Sequence, residues 1–503
     1  MRVTTFCYNS FTTKQKTKGA VTLMSIVTLL NTLVEELNSA EENFYSNPKD
    51  FYSLETSVKT STESFAASFL GLLLSEINSK IENDGWRNGK YTVQRHDSKT
   101  LITSVGDVVF DNTYFRSKKD GSYHYLTEEV IGLSKNEQFS EAAETAILVE
   151  ALKTSYAEAA KVIPSKSEIT KTTVMNKVHG IAEQIVLGEP VDKKKQCENL
   201  IIEADEDHVA EQHGRWNDKS LNKSFLCKLI YLYEYKRDVP GVKGRKELVN
   251  TFYVGGVYEG TDGNEKLWNI VKKYIENHYD FDCIKHIYIN GDGAQWIKSG
   301  TRYLEKSLFI TDKFHLMKYI NAATNQMLDE ADIAKSEIYR MLHKREKEAF
   351  IEYTNSMISC AKNPEPVEQL QTFVVGNWAA VMRTYHNKTI TGCSAESHVS
   401  HVLSDRLSSR PMGWSTIGAD RMTKLRCYER NFGREGIINL VQYSRLQRKL
   451  KRTGTDDVEK EVSFRHLSHE HYDQARSYID RLQVSVPQEI RKIASIREQI
   501  KLI

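Results

Sequence analysis

Hydrophobic and polar positions follow two different periods along this chain, and the changes of period divide it into regions. Residues 24–93 place apolar side chains at helical spacing, as in "SFAASFLGLLLSEINSKI", and predict helices. Residues 94–126 alternate Val, Phe, Tyr and Thr with polar residues and include the turn "KKDGSY". That pattern is typical of two or three antiparallel strands. The helical period returns at about residue 140.

A short helix, a turn and a second helix are predicted next. "VEALKTSYAEAAKVI" is followed by "PSKSEIT" and "KTTVMNKVHGIAEQI", with Thr170 or Thr172 as the N-cap. This order fits a helix-turn-helix, whose second helix enters the major groove of DNA, where Lys171 and Lys177 would contact it. Any two packed helices with a short connection give the same spacing, so both interpretations stay open.

Residues 199–315 follow the order strand, strand, strand, helix, strand, helix, strand. The strands are "NLIIEADEDHV", "FLCKLIYLYEYKR", "ELVNTFYVGGVYEG", "IKHIYINGDGA" and "KSLFITDKFH". This order predicts an α/β fold with a ribonuclease H-like sheet. Residues 316–390 have helical patterns and would be an insertion before the helix "SAESHVSHVLSDRL".

We therefore predict four parts. Residues 1–93 form an N-terminal tail and helical region, in which the basic residues 1–23 would be a disordered tail ahead of Met24. Residues 94–185 form a β-hairpin and helix-turn-helix DNA-binding region, and residues 195–417 form a ribonuclease H-like catalytic domain with a helical insertion at about 316–390. Residues 418–503 form a basic helical C-terminal region.

Three acidic residues stand where a catalytic site would place them. Asp205 and Asp292 end apolar strands, and Glu396 lies near the start of a helix. Carboxylates at strand ends point into the crevice where α/β sheets bind ligands, and three together would need a cation such as Mg²⁺ or Mn²⁺. Asp207 is an alternative to Asp205 because it shares the same strand face. A turn residue or a first-turn helix acid would have the same pattern.

The glycines on both sides of Asp292 are a further reason to consider it a site residue. Gly291 and Gly293 lack a Cβ, so the backbone can bend sharply and a phosphate can approach closely. We interpret them as room for a metal ion and a phosphate.

The distribution of charged residues along the chain, rather than the net charge, indicates a binding partner. The chain has 69 basic and 67 acidic residues, but residues 421–452 hold ten Arg or Lys against two Glu. A cluster of this kind binds nucleic-acid phosphates, although a solvated helix face is the alternative. The candidate DNA contacts in and before it are Arg406, Arg410, Arg421, Lys424 and Arg426.

Cysteine spacing argues against a zinc-binding or thiol redox protein, and hydropathy argues against a membrane protein. Seven scattered cysteines form no zinc or thiol redox motif and suit a reducing compartment. No apolar run reaches the roughly 18 residues of a membrane span, so we expect no membrane partner.

Several blocks resemble the ISLre-type insertion-sequence transposases, bacterial relatives of the Mutator-like DDE transposases. The blocks are "INGDGAQWIKSG", "TDKFHLMKYI", "IIEADEDHV" and, most specifically, "CSAESHVSHVLSDRLSSRPMGWS". The resemblance covers about residues 95–430. It implies a cytoplasmic, nucleoid-associated enzyme that cleaves transposon ends and transfers the strands to target DNA.

The resemblance also implies the site. Asp205, Asp292 and Glu396 would be the catalytic acids that hold two Mg²⁺ or Mn²⁺ ions, and His315 would lie near them. Double-stranded DNA, as terminal inverted repeats and as target, would be the partner, bound by a homo-oligomer. There are two alternatives. One is a nuclease of the same fold that does not join strands, and the other is a transposase-derived DNA-binding protein.

Overall fold

The computed structural model describes residues 26–212, 223–242, 244–387, 390, 392–450, 462, 464 and 473–477, and it shows a mixed α/β protein. The chain divides into two compact units. The first unit contains residues 1–143, 163–168 and 445–503, and the second contains residues 144–162 and 169–444. The predicted tail at residues 1–23 lies outside the described residues, and the four predicted ranges stay a prediction.

The described residues form eighteen α-helices and ten strands, numbered here in chain order. The helices are α1 (Ile26–Ser46), α2 (Phe51–Asn83), α3 (Gly85–Lys90), α4 (Leu126–Val130), α5 (Glu141–Ala151), α6 (Tyr156–Ala159), α7 (Lys171–Ala182), α8 (Gly260–His278), α9 (Gln295–Lys298), α10 (Gly300–Tyr303), α11 (Lys313–Thr324), α12 (Ala331–Lys344), α13 (Lys347–Cys360), α14 (Glu365–Gly376), α15 (Trp378–His386), α16 (Ala395–Val399), α17 (Asp405–Leu407) and α18 (Thr416–Leu450). The strands are β1 (Tyr91–Thr103), β2 (Gly106–Ser117), β3 (Tyr123–His124), β4 (Asn199–Ala210), β5 (Ser224–Tyr233), β6 (Lys236–Asp238), β7 (Lys246–Leu248), β8 (Phe252–Gly256), β9 (His286–Gly291) and β10 (Ser307–Thr311). A 3₁₀ helix spans Asn325–Glu330 and a π-helical turn spans Ser400–Ser404.

In the first unit, the long helix α2 packs on a three-stranded antiparallel sheet in the order β1-β2-β3, and α1 packs on α2. The sheet confirms the strands predicted at 94–126, and Gly121 in the predicted turn has a positive φ of 72°. Helix α2 lies against β2 at Gly71, where a Cβ would come within 2.4 Å of the Val109 carbonyl oxygen. Buried Phe110 and Leu101 belong to the core beneath this contact.

In the second unit, a five-stranded mixed sheet has the order β10-β9-β4-β5-β8. Strands β4, β9 and β10 are parallel to one another, whereas β5 is antiparallel to both β4 and β8. Helix α8 covers the sheet with the fully buried Trp268, and Gly300 lets its ring approach, since a Cβ there would lie 2.5 Å from the ring. The predicted sequence of five strands is confirmed, and its ribonuclease H-like class stays a prediction.

The insertion predicted at 316–390 is helical, running from α11 to α15 around its own core. That core includes Ile338, Phe350 and Leu370, all fully buried. Because its apolar side chains face one another, the insertion forms a compact layer after β10 rather than a loop.

Three predicted helices are interrupted in the structure. The helix expected at 149–163 is divided into α5 and α6, because the Ser155 hydroxyl caps a new helix by accepting from the Glu158 backbone N–H. The helix expected at 295–305 is the pair α9 and α10. The helix after residue 394 contains the π-helical turn at 400–404, a feature that is frequent at functional sites. Thr170, rather than Thr172, is the N-cap of α7.

Over the described ranges, each helix is either too short or too polar to cross a membrane.

Candidate active site

Asp205 and Asp292 lie at the same edge of the five-stranded sheet, on neighbouring parallel strands. The register pairs Glu203 of β4 with Asn290 of β9. Residues 205 and 292, each two positions further along the chain, therefore lie opposite each other. Asp205 lies on β4, and Asp292 directly follows Gly291, the last residue of β9. The structure therefore brings these two predicted site residues together.

Burial and a neighbouring acid change the pKa of the Asp205 carboxyl group. Burial raises the pKa of Asp205 to about 6, and the charge of Asp292 raises it too. A hydrogen bond from the Glu206 backbone N–H to Oδ1, at 2.9 Å, opposes that rise. Asp292 accepts from the Ala294 backbone N–H at 2.8 Å. Two carboxylates in a partly desolvated edge repel each other until a proton or cation lies between them.

The metal-free protein is expected to lose stability as the pH rises through the titration of Asp205. Because the folded pKa of about 6 lies above the ordinary 3.8, the folded state binds more protons between these pH values. The free energy of unfolding should fall by up to about 3 kcal/mol from this group alone. Urea unfolding in EDTA at pH 4.5 and pH 7.5 should show this loss in the wild type and not in Asp205→Asn. Equal pH dependence of the two proteins would contradict the assignment.

His315 belongs to the same group of side chains. It lies in the first turn of α11, and its Nδ1 is 2.8 Å from Oδ2 of the buried Asp312. The hydrogen bond to Asp312 raises the pKa of His315, the charges of Asp205 and Asp292 act in the same direction, and burial opposes them. The Asp312 backbone N–H donates to the Gly291 carbonyl at 3.0 Å, which ties α11 to the end of β9. The predicted candidate His315 therefore lies beside the aspartate pair.

Glu203 on β4 is a completely buried charged residue for which the sequence pattern predicted no role. Its carboxylate accepts hydrogen bonds from the hydroxyls of Tyr231 and Tyr233, the latter at 2.6 Å, and from the Ser394 backbone N–H at 2.7 Å. The Lys236 ammonium lies 3.5 Å away. An acid inside the apolar run "NLIIEADEDHV" was the available signal, since an acid is buried there only if it is paired.

Residues 394–408 are fixed to the face of β4 that carries Asp205. Ser394 binds Glu203, and the Ser408 hydroxyl donates to Asp207 at 2.8 Å. Residues 203, 205 and 207 share one face because side chains alternate along a strand. Ser408 lies within hydrogen-bonding distance of both Asp207 oxygens, which leaves Asp205 as the less engaged carboxylate of the two.

Glu396 is not gathered with the aspartates. It lies in the first turn of α16, between the two anchors of that segment, and it is exposed. The charges that most affect the pKa of Asp205 are those of Asp292, His315 and Glu206. Within the described ranges, no three His, Cys, Asp or Glu side chains are placed close enough to hold a metal ion together.

The two glycines beside Asp292 have local structural explanations. Gly293 has a φ of 102°, a conformation that favours glycine. At Gly291, a Cβ would lie 2.8 Å from the Ile297 side chain and 3.0 Å from the Ala204 carbonyl oxygen. Gly291 is therefore required by packing within the protein, which corrects our interpretation of it as room for a metal ion and a phosphate, whereas that interpretation of Gly293 stays a prediction.

Arg406 has a structural position that rules out the predicted DNA contact. It is 5% exposed, and its Nε donates to the Ala151 carbonyl at 3.0 Å. The guanidinium lies 4.7 Å from the Trp414 ring centroid and 5.4 Å from that of Tyr156. The prediction for Arg406 is wrong because the aromatic pocket and the carbonyl already enclose its charge.

Arg406→Ala should therefore destabilise the protein without acting through DNA. Losing the stacked guanidinium and its hydrogen bond is expected to cost about 2 kcal/mol or more in the free energy of unfolding. Urea unfolding measures this, with the exposed Arg410→Ala as the matched control, which should leave stability nearly unchanged. Unchanged stability in Arg406→Ala with weakened binding to duplex DNA would restore the original prediction.

Most of the other predicted DNA contacts also have partners inside the protein. Arg426 donates to the carbonyls of Val402 at 2.5 Å and His401 at 2.6 Å. The ion pairs are Arg421 with Glu183 at 2.8 Å, Lys424 with Asp420 at 2.7 Å and Lys177 with Glu144 at 3.2 Å. Such pairs reduce the charge that is offered to phosphates. Lys171 and Arg410 are exposed.

Comparisons with known proteins give the family. The profile of the Uncharacterised protein family (UPF0236) matches residues 46–442. A UPF0236 protein of Caldanaerobacter subterraneus subsp. tengcongensis, whose name joins eleven locus designations, is 32% identical over 428 residues, covering 83% of this chain and 87% of its own length. A second UPF0236 protein of that organism is 31% identical over 441 residues, covering 85% and 91%.

Among solved structures, the Drosophila P element transposase strand transfer complex matches 63% of this chain and 83% of its own. The identity is 14% and the TM-score is 0.21, a similarity that supports no inference about function. The family profile and the relatives agree over most of the sequence. The chain belongs to the uncharacterised protein family UPF0236.

Proposed function

We propose that this chain is a DDE transposase of the ISLre type, which cleaves DNA at transposon ends and transfers the strands into target DNA. The observation that carries the proposal is the pair of Asp205 and Asp292 at one edge of a mixed sheet, with the pKa of Asp205 raised to about 6. Perturbed carboxyl groups in a crevice are typical of sites where charge is handled chemically. The hydrogen bond to Asp312 raises the pKa of His315, which favours its protonated form beside the pair.

The strand order supports a ribonuclease H-like core. Three antiparallel strands, β4, β5 and β8, come first, and α8, β9, two short helices and β10 follow. This is the order that the sequence pattern predicted for that fold. Asp205 and Asp292 lie on β4 and just after β9, so the fold makes neighbours of carboxylates that are far apart in sequence.

The relatives' names give a second, independent support. One UPF0236 protein carries eleven locus designations of a single genome, and another carries four. A protein that is encoded many times in one genome is expected of an element that copies or moves its own gene. An ordinary metabolic enzyme has no need of such repetition.

The donor atoms at the pair fit Mg²⁺ or Mn²⁺. They are hard carboxylate oxygens, and the pKa of Asp205, raised by burial and by Asp292, supports a neutralising charge at this place. Asp205 and Asp292 would hold the metal. Glu396 is the third ligand that the resemblance implies, and α16 would have to move to bring its exposed side chain to the pair. Bound divalent ions at such a site can activate an attacking oxygen and stabilise a leaving oxygen at a phosphodiester.

The chain's own residues would orient the DNA strand. His315, held by Asp312 through a bond of 2.8 Å, can donate to a phosphate oxygen at the sheet edge. The exposed Lys171 and Arg410 remain available for the DNA backbone. Terminal inverted repeats and a homo-oligomer would follow from the proposed class.

The proposal is tested by cleavage of DNA that flanks the gene. The purified chain should cut this DNA at discrete positions in Mg²⁺ and should leave it intact in EDTA. Binding without cleavage in any divalent metal would favour a transposase-derived DNA-binding protein. Cleavage without any joined product would favour a nuclease of the same fold.

A further inference from the structure

The helix that carries Glu396 contains one residue more than α-helical spacing allows. Before the π-helical turn at 400–404, the Ser400 N–H donates to the Glu396 carbonyl, four residues earlier. Within the turn, the Asp405 N–H donates to the Ser400 carbonyl, five residues earlier. The α-helical conformation returns in α17. A bond that spans five residues between stretches that span four marks one additional residue in that turn.

Arg426 on α18 supports the wide form of the turn. Its Nε donates to the Val402 carbonyl at 2.5 Å, and its Nη2 donates to the His401 carbonyl at 2.6 Å. A third N–H of the guanidinium donates to the Leu152 carbonyl, which fixes the group from outside the turn. Because buried carbonyls need a donor but not a particular one, these bonds compensate for the α-helical bonds that the turn gives up.

The chain after the turn is held more firmly than the chain before it. Arg406 is buried against two aromatic rings, and Ser408 donates to Asp207 at 2.8 Å. Before the turn, the Ser394 N–H donates to Glu203 at 2.7 Å. A shift of α16 by one residue would bring the next N–H along the chain to the same carboxylate. The part that can move is therefore α16.

Closing the turn to α-helical spacing would turn Glu396 towards β4. The present form is called open here, and the form with α-helical spacing is called closed. Closing moves each residue of α16 to the position of the residue before it, a rotation of about 100° with a shift of about 1.5 Å. Glu396 is exposed, whereas Ala395 is 5% exposed on a helix that packs on β4. Glu396 would therefore take a buried position facing the strand of Asp205.

The start of this segment already lies near the surroundings of the aspartate pair. The Cys393 thiol is 3.4 Å from the Glu203 carboxylate. Burial raises the pKa of Cys393 well above its ordinary value, and the charges of Glu203 and Asp312 raise it further. Asp312 is the residue that holds His315 beside the pair. A carboxylate at the position of Ala395 is thus two residues from a side chain that senses this group.

Contacts of His398 favour the open form. Its ring stacks on Tyr231 with centroids 4.2 Å apart, and its Nδ1 lies 2.9 Å from the Tyr253 hydroxyl. A shift by one residue would replace this ring with the side chain of Val399 and give up both contacts. The closed form therefore costs free energy, which a ligand that engages Glu396 would have to offset.

We propose that the π-helical turn at 400–404 is a switch that moves Glu396 between solvent and the aspartate pair. In the open form Glu396 is exposed, and in the closed form it faces β4 beside Asp205 while Arg426 releases the two carbonyls of the turn. The inference rests on the proposed function, because it supplies the third carboxylate of that site. The switch keeps the site incomplete until a cation and a DNA strand favour the closed form.

Deletion of His401 removes the additional residue and tests the switch. A turn without it has α-helical spacing while Glu396 keeps its exposed position, so the deletion should weaken Mn²⁺ binding at least about tenfold, as Glu396→Gln should. Adding Ala395→Glu to the deleted chain should restore the affinity to within about threefold of the wild type, because that carboxylate faces β4 without any movement. Ser397→Glu in the same deleted chain is the matched control and should restore nothing, since position 397 is exposed. Electron paramagnetic resonance of free Mn²⁺ measures binding to the full chain.

A second comparison needs no deletion. Glu396→Ala should weaken Mn²⁺ binding, and the double variant Ala395→Glu, Glu396→Ala should bind Mn²⁺ at least as tightly as the wild type. Circular dichroism and urea unfolding show that each variant is folded.

The outcomes separate the switch from the proposed function. Wild-type Mn²⁺ binding that is lost in Asp292→Asn but unchanged by the deletion would overturn the switch and leave the metal site standing. Failure of Ala395→Glu to restore binding in either folded background would overturn the switch in the same way. Absence of Mn²⁺ binding by the wild type would contradict the proposed metal site and the switch together.

Discussion

Asp292→Asn is expected to reduce strand cleavage at least about a thousandfold, because metal and carboxylate catalysis contributes several kcal/mol to the transition state. The substitution removes the negative charge but keeps an oxygen that can accept from the Ala294 backbone N–H, now bound at 2.8 Å. The loop after β9 should therefore keep its conformation. Cleavage rate constants in Mg²⁺, together with urea unfolding, measure the two expectations.

A matched control lies ten residues earlier on the same unit. Asp282 is exposed, and Asp282→Asn removes the same charge away from the sheet edge. This variant should cleave at the wild-type rate. If Asp292→Asn also retained the wild-type rate, the aspartate pair would have no catalytic role.

Glu203→Ala is expected to cause the largest loss of stability among single substitutions at this site. Glu203 is completely buried and accepts from Tyr231, Tyr233 and Ser394. Removing it leaves the Tyr233 hydroxyl and the Ser394 backbone N–H without their acceptor, and it removes the ionic partner of Lys236. Breaking a buried charged network of this kind costs about 3–5 kcal/mol. The free energy of unfolding from urea titration measures the change.

Two further variants show whether the charge or the hydrogen bonds matter. Glu203→Gln keeps one oxygen acceptor and should lose less stability than Glu203→Ala. Glu247→Ala removes an acid that is paired with Arg237 on the surface, and it should have a much smaller effect because exposed ion pairs contribute little. A Glu203→Ala protein as stable as the wild type would mean that the network does not support the fold.

Sequence patterns predicted the elements of this chain well where one period is sustained. The strands β1 to β3 alternate, and the helices of the insertion show the 3.6-residue period, since each buries one face. The interruptions were not predictable from period. A capping serine at 155 and a π-helical turn at 400–404 depend on local hydrogen bonds that hydrophobic spacing does not encode.

The candidate site was predictable only in part. Asp205 and Asp292 end apolar strands, and parallel pairing of those strands makes them neighbours. Glu203 was missed because its role depends on tyrosines of β5 and on Ser394, almost two hundred residues away. Arg406 was misjudged for the same reason. A basic residue near a catalytic motif suggests DNA, but Tyr156 and the Ala151 carbonyl, which enclose Arg406 together with Trp414, are distant in sequence.

The central claim is that the carboxylates at this sheet edge cut and join DNA with the help of a divalent ion. The most direct measurement is sequencing of the products formed when the chain, DNA with the gene's flanking ends and a target plasmid are incubated in Mg²⁺. We predict 3′ ends of the flanking DNA joined covalently to the target, with no joined product in EDTA or from Asp292→Asn. Absence of joined product from the wild type, or joining that persists in EDTA, would contradict the account.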